Sequence, residues 1–377
     1  MKHLLKQKRN FFLLAWVIGI ALIIVAKNNN EIAEFYFARG MYRAFSGLMI
    51  KLTGNIPFSL AEVILVLFAF FMLTYIVTGI IGIVRAKGHR GEKTFLLFRF
   101  ILIISGLIFC ICTVGGGTNY YRYEFAEFSG LEVRESTKEE LVNLCINLVE
   151  KTNSAREELA VYVSENNKGR CDKDSPFFSG LTHEERAKAC SLAMRSLGEK
   201  YEVLEGDYPK AKAVILSRLM SEFNITGVYF PVTVEANVNV DVPDCEKAAT
   251  ICHELTHIRG FMREDEANYL GYLSCVKSGN PELVYSGYLM ALTHACNRLY
   301  DADPEAYFEI RELISDGVME DQADKSRYWK QFDGTVAQKV GETVNDTYLK
   351  INSQEDGTKS YGRMVDLLLA EYRNEEV

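Results

Sequence analysis

His253-Glu254-Leu255-Thr256-His257 is the stretch on which the reading of this chain turns. On a helix, residues four apart share a face, so two imidazoles stand one turn apart with a carboxylate beside them. Two neutral imidazoles at that spacing can hold one Zn²⁺, and Glu254 is then placed as a general base toward water at the metal. The preceding segment supports a helix. Pro243 stops an extended run, Asp244 is a candidate cap, and Glu246 falls in the first turn, where the helix dipole favours an acid. Ala248, Ile251, Cys252, Leu255 and Ile258 form an apolar stripe, and Gly260 is suited to end the helix in a left-handed cap.

A zinc site needs a third protein donor and an open position. The next acidic residues are Glu264, Asp265 and Glu266, just beyond the turn at Gly260. Glu264-Asp265-Glu266-Ala267-Asn268 has the form E-x-x-A-N. It resembles the E-x-x-A/S-D helix that supplies the third ligand in glutamate-type zinc peptidases, the gluzincins. That resemblance covers about 16 residues and implies Glu264 as the ligand, with Glu266 as the alternate. Asn268 stands where those enzymes carry an acid that braces a ligand histidine; an asparagine can still accept from an imidazole N–H, without a charge. Residues two apart on a helix point about 200° apart, so Glu264 and Glu266 cannot both face one metal. The third histidine of metzincins is excluded, because Arg263 occupies that place.

The N-terminal third carries three apolar segments, Phe11–Ala26, Pro57–Val84 and Phe95–Thr113, which predict three transmembrane helices. Lys2, Lys6, Lys8 and Arg9 precede the first. Arg85, Lys87, Arg90 and Lys93 lie between the second and third against the single acid Glu92. The bias predicts a cytoplasmic N-terminus and an extracytoplasmic HExxH domain. Residues 1–115 carry a net +9 and the remainder −17. So acidic a domain argues against nucleic acid as a partner. The expected organisation is a membrane region at 1–115 and a zinc metallopeptidase-like domain at 116–377, with the lipid bilayer and a peptide or protein substrate as partners.

Ser136-Thr137-Lys138-Glu139-Glu140 and Thr182-His183-Glu184-Glu185 read as capping boxes that open helices, with His183 a solvated first-turn residue. Gly227–Val234 is β-branched and aromatic, and Pro231 demotes it to an edge strand or bulge. Glu235–Val240 alternates with period two and reads as a second strand. An edge strand just before the HExxH helix could pair with an extended peptide and lay it across the metal. From Glu264 onward the chain reads as helical, including Pro281–Tyr300, a cap at Asp303-Pro304, a long stretch over Glu320–Lys350, and a last helix from Tyr361. His294 reads as a core or surface histidine. Seven cysteines lie outside the apolar segments, an odd number without a framework spacing; Cys171 and Cys190 are the foremost disulfide pair.

Several runs resemble a family of uncharacterised bacterial membrane proteins with three N-terminal spans and an extracytoplasmic HExxH domain. They are Asn119-Tyr120-Tyr121-Arg122, Leu216-Ser217-Arg218-Leu219-Met220, Gly227-Val228-Tyr229-Phe230-Pro231, Glu235-Ala236-Asn237-Val238-Asn239, the HELTH segment through Asn268, and Ser360-Tyr361-Gly362-Arg363-Met364-Val365-Asp366. That family carries no substrate over. The expected fold is a three-helix transmembrane region plus a mainly α, zincin-like domain of α+β class, with a small β element before the HExxH helix. The expected activity is zinc-dependent peptide hydrolysis, with Glu254 as base and His253, His257 and Glu264 as ligands. Tyr361 and Arg363 are candidates, by residue type, for steadying the oxyanion. A non-catalytic zinc-binding sensor or scaffold, and a zinc hydrolase of a cell-wall amide, are the alternatives.

Overall fold

Close packing of the backbone divides the protein into two units. A computed structural model describes residues 13–166, 169–351 and 363–375. One unit comprises residues up to Tyr123 together with the short segment Phe230–Val234. The other comprises Glu124–Tyr229 and Glu235 onward.

The first unit holds α1 (Leu13–Asn28), a short α2 (Asn30–Ile32) continuing as a π-helical segment (Ala33–Tyr42) into α3 (Arg43–Thr53), then α4 (Leu60–Arg85) and α5 (Arg90–Val114). α4 and α5 are long and apolar enough to cross a membrane. Leu67, Phe70, Leu73 and Val84 of α4 are all exposed, as lipid-facing residues would be. α1, with 16 residues, spans only about 24 Å against an apolar core of about 30 Å. It counts toward a third span only with Asn30–Thr53, from which it is bent by 115°. Phe11 and Phe12, the start of the expected first segment, lie outside the described residues. Glu62 is tolerated at the start of α4 because it sits in the first turn, where its N–H donates to the Ser59 cap (2.9 Å). Glu34 is fully buried and accepts from Arg39 Nε at 2.7 Å and from Arg122 Nε and Nη2 at 2.9 Å. A buried carboxylate needs such partners. The Phe230–Val234 segment belongs here through its own contacts: Thr53 Oγ1 donates to Thr233 O (3.1 Å), and Gly115 leaves room for Pro231, whose carbonyl lies 2.5 Å from where a Cβ would stand.

The second unit runs α6 (Phe125–Ser129), α7 (Lys138–Asn166), α8 (His183–Lys200), β1 (Lys212–Ala213), α9 (Ser217–Glu222), β2 (Gly227–Phe230), β3 (Glu235–Val238), α10 (Asp244–Ile258), α11 (Glu264–Val276), α12 (Pro281–Ala302), α13 (Pro304–Arg311), α14 (Asp316–Lys330), α15 (Val336–Ile351) and α16 (Met364–Glu375). Among the described residues the structure is mostly helical with one small sheet. Its core gathers Leu141 and Leu148 of α7, Tyr269 and Leu270 of α11, Leu292 of α12 and Leu368 of α16. The capping boxes form as their sequences dictate. Thr137 and Glu140 exchange bonds (Glu140 N–H to Thr137 Oγ1 at 3.1 Å, Thr137 N–H to Glu140 Oε2 at 2.8 Å), and Thr182 does the same with Glu185. Asp303 caps α13 ahead of Pro304.

The sheet has the order β1-β3-β2, so β2 is an edge strand. β1 pairs in parallel with β3, Lys212 opposite Asn237 and Ala213 opposite Val238. The polar alternation of β3 does not mark a solvated face, since all four residues are buried. Asn237 Nδ2 donates to Glu235 O (3.1 Å) and Val228 O (3.4 Å), and Asn239 Nδ2 to Ser221 Oγ (2.8 Å) and Ile225 O (3.0 Å). These amides are internal fasteners for the sheet and the α9 loop.

Other expectations are corrected. The long helical stretch over Glu320–Lys350 is broken between α14 and α15, where Gly334 adopts a φ of 73°. Asp244 is not the cap of α10: Pro243 holds that position, and the Asp244 carboxylate accepts from Ser179 N–H (2.9 Å) and Lys247 Nζ (2.7 Å). His183 is half-buried rather than solvated, its Nε2 2.9 Å from Ala211 O. Cys171 and Cys190 do not pair. Cys171 lies against the Arg156 guanidinium, and Cys190 lies against Cys252.

Candidate metal centre

The centre is built by two helices and the turn between them, all within the second unit. α10 presents His253 and His257 one turn apart. Gly260, at a φ of 83°, reverses the chain, and Arg263 leads into α11 with Glu264 at its first position. α11 packs back on α10 so closely that a Cβ on Gly271 would fall 3.0 Å from His253 N and 3.2 Å from its Cα. A glycine is therefore what lets Glu264 reach both imidazoles.

His253 Nε2 and His257 Nε2 are 3.2 Å apart. Glu264 Oε2 is 3.2 Å from His253 Nε2, and Glu264 Oε1 is 3.8 Å from His257 Nε2. A tetrahedral ion with bonds of about 2.0–2.2 Å needs donors roughly 3.3–3.6 Å apart. The three donors could hold a metal ion with small adjustments. Both rings are fixed from behind. His253 Nδ1–H donates to Asn268 Oδ1 (2.8 Å), and His257 Nδ1–H donates to Phe261 O (2.8 Å). In the neutral rings these bonds set the tautomer whose Nε2 lone pair faces the cluster.

Glu266 is turned elsewhere. Its Oε1 accepts from Phe125 N–H (2.5 Å) and Arg263 Nη2 (3.0 Å), and its Oε2 from Arg263 Nε (2.9 Å). Those bonds commit it to tying α6 to α11. Arg263, which excluded the metzincin reading, is thus the partner that occupies the alternate carboxylate.

Glu254 is buried beside the cluster. β2 crosses directly over it: a Cβ on Gly227 would lie 2.5 Å from Glu254 Oε1 and 2.7 Å from its Cγ. The Tyr229 backbone N–H donates to the Glu254 carboxylate, and Glu254 Oε2 has no hydrogen-bond partner among the described residues. Burial, helped by the nearby Glu264 charge, pushes the Glu254 carboxyl up to about 8 against the pull of His253. Burial opposes charge on His253, but the hydrogen bond and charge of Glu264, the charge of Glu254 and the Asn268 hydrogen bond together outweigh it and hold the ring up at about 9. Burial dominates at His257 and brings it down to about 4. The two rings thus differ, His253 holding its proton and His257 staying neutral. His294 is not among the donors; burial, then the charges of Lys325 and His253, brings it down to about 4, as a neutral ring.

Tyr361 lies outside the described residues. Arg363 places its Nε 3.5 Å from Asp265 Oδ2, on the residue next to Glu264. Three further residues matter that their sequence context hid. Gly227 and Gly271 are close-approach glycines, recognisable only once the opposing element is known. Tyr229 read as an ordinary strand residue, yet its ring centroid is 6.1 Å from that of His257.

Two or three helices able to span a membrane fit a membrane protein, and the other, mostly helical unit carries a His₂Glu cluster that could hold a metal ion. The chain belongs to the family described as protein of unknown function (DUF3810), whose model matches residues 37–369. That match attaches no activity and identifies no metallopeptidase family. No curated protein and no solved structure matches the chain.

The geometry separates the two carboxylates experimentally. Glu264→Ala should weaken metal binding sharply, and Asn268→Ala by about 10–100-fold through a loosened ring. Glu266→Ala should leave metal affinity near wild type while loosening the α6 contact. Titration with a competing chelator checks this; loss of metal in Glu266→Ala but not in Glu264→Ala would reverse the assignment.

Proposed function

We propose that this protein is a membrane-anchored zinc metallopeptidase with a zincin-like, extracytoplasmic catalytic unit. The observation that carries the reading is the convergence of His253, His257 and Glu264 with a fourth, uncommitted carboxylate oxygen, Glu254 Oε2, alongside. A purely structural metal site has no use for that carboxyl. The donor set suits zinc: two imidazoles and a carboxylate, leaving a fourth position open. Two carboxylates with two neutral imidazoles carry two negative charges, which a divalent cation cancels. Bound there, zinc would polarise a scissile carbonyl and acidify water to a pKa near ~7.

The residues of the chain do the rest. Asn268 and the Phe261 carbonyl hold the two rings in register. The Tyr229 backbone N–H and the absent side chain of Gly227 fix the Glu254 carboxyl. Glu254 accepts a proton from the attacking water and gives it to the departing amine, a role suited to a carboxyl whose affinity for protons burial has raised. β2, as the edge strand over Glu254, offers a line along which an extended peptide can lie, with the half-buried Tyr229 ring at the His257 end. Arg363 and Tyr361 remain candidates for steadying the oxyanion, Arg363 through its place beside Asp265.

Glu254→Gln separates chemistry from binding. The amide keeps the shape but cannot take the proton, so the variant should retain zinc and lose peptide hydrolysis in an unbiased peptide-library digest. A fully active Glu254→Gln protein would remove the proposed mechanism.

The orientation rests on eight basic residues against one acid in the two segments assigned to the cytoplasm. A tag at residue 88 should react with label from the cytoplasmic side only, and a tag after Val377 from the outer side only. Cytoplasmic labelling of the C-terminal tag would invert the topology.

A further inference from the structure

The long helices α7 and α12 run antiparallel in a register that three contacts define. At one end Lys138 Nζ donates to Asp303 Oδ2 at 2.8 Å. Eighteen residues in from each of these positions, the Arg156 guanidinium sits over the Tyr285 ring, 5.7 Å from its centroid. Between them, seven residues in from Lys138 and seven back from Asp303, stand Cys145 and Cys296. Seven residues are almost two full helical turns, so the two cysteines return to the face that carries the Lys138–Asp303 pair. Their thiols lie close enough to interact directly. Both belong to the buried core cluster.

We propose that Cys145 and Cys296 are a disulfide-forming pair that staples α7 to α12. Helix packing has already brought the two sulfurs together in register, so bond formation needs side-chain rotation rather than backbone movement. Cys296 is the attacking sulfur, because it is the less deeply buried of the two, 7% exposed against 0% for Cys145. Its thiolate attacks a disulfide oxidant, such as oxidised glutathione, forming a mixed disulfide and releasing one thiolate. Cys145, losing its proton, then attacks the Cys296 sulfur and releases the second. Two thiols are oxidised to one disulfide while one disulfide is reduced to two thiols. No other cysteine is so placed in register. Cys171 faces the Arg156 guanidinium, and Cys252 is shared between Cys190 and Cys275, three thiols that cannot all pair. The staple would close a long loop, which raises stability chiefly by restricting the unfolded chain.

The test uses the full chain purified in detergent and equilibrated over a series of reduced-to-oxidised glutathione ratios. Free thiols are then alkylated under denaturing conditions and the digest is mapped by mass spectrometry. The expected result is a Cys145–Cys296 cross-linked peptide that disappears on reduction, with the oxidised protein melting roughly 4–16 °C higher than the reduced one. Alkylation of both cysteines at every ratio, or pairing of either with a different cysteine, would overturn the proposal. This outcome does not depend on peptidase activity or metal content.

Discussion

The contact on which the candidate centre depends is the close approach of α11 to α10 at Gly271. With no side chain at that position, the two backbones meet within van der Waals distance, and Glu264 arrives between the imidazoles of His253 and His257. Every other feature of the centre answers to that placement. The Gly260 turn sets the length of the return. Arg263 draws Glu266 away toward α6, which leaves Glu264 as the carboxylate facing the rings. Asn268, one turn beyond Glu264, lies on the same face and so meets His253. Burying two carboxylates beside two imidazoles is costly unless the charge is balanced. The raised proton affinities of Glu254 and His253 both lessen the negative charge buried there.

The sheet contributes from the opposite side. β2 needs Gly227 because Glu254 lies directly beneath, and its backbone supplies a donor to that carboxylate. The strand continues into Phe230–Val234, a segment that packs with the membrane unit through Thr53 and Gly115. Val234 in that turn has a φ of 54°, an unusual conformation for a β-branched residue, and is fully buried. Strain of this kind persists only where the surroundings fix the backbone. The strand that lies over the candidate base is thus continuous with a tightly held turn.

Much of this was legible in the sequence, for reasons that can be named. Helical periodicity put His253 and His257 on one face, and the local pattern Glu264-x-x-Ala267-Asn268 pointed to the two side chains that lie against those rings. Long apolar runs gave α4 and α5, and Pro231 marked β2 as an edge. What stayed hidden depends on partners distant in sequence. The polar alternation around β3 resembled a half-solvated strand because Asn237 and Asn239 are satisfied internally, by Glu235 and by Val228 of β2, and by Ser221 of α9 and Ile225, which no local pattern reveals. Gly227 and Gly271 carry no signal beyond being glycines. The Cys145–Cys296 juxtaposition follows from the register of two helices, whereas in the sequence Cys171 and Cys190 stood foremost because they bracket a polar excursion. The break between α14 and α15 was signalled by Gly334 but masked by continuous helical spacing on either side.

The central claim is that His253, His257 and Glu264 are a zinc site. The most direct measurement is the metal content of the full chain purified from zinc-replete cells, beside a His253→Ala/His257→Ala double variant. The account predicts about one zinc per chain in the wild type and none above background in the variant. Equal zinc in both proteins, or a wild type that binds no divalent metal, would contradict it.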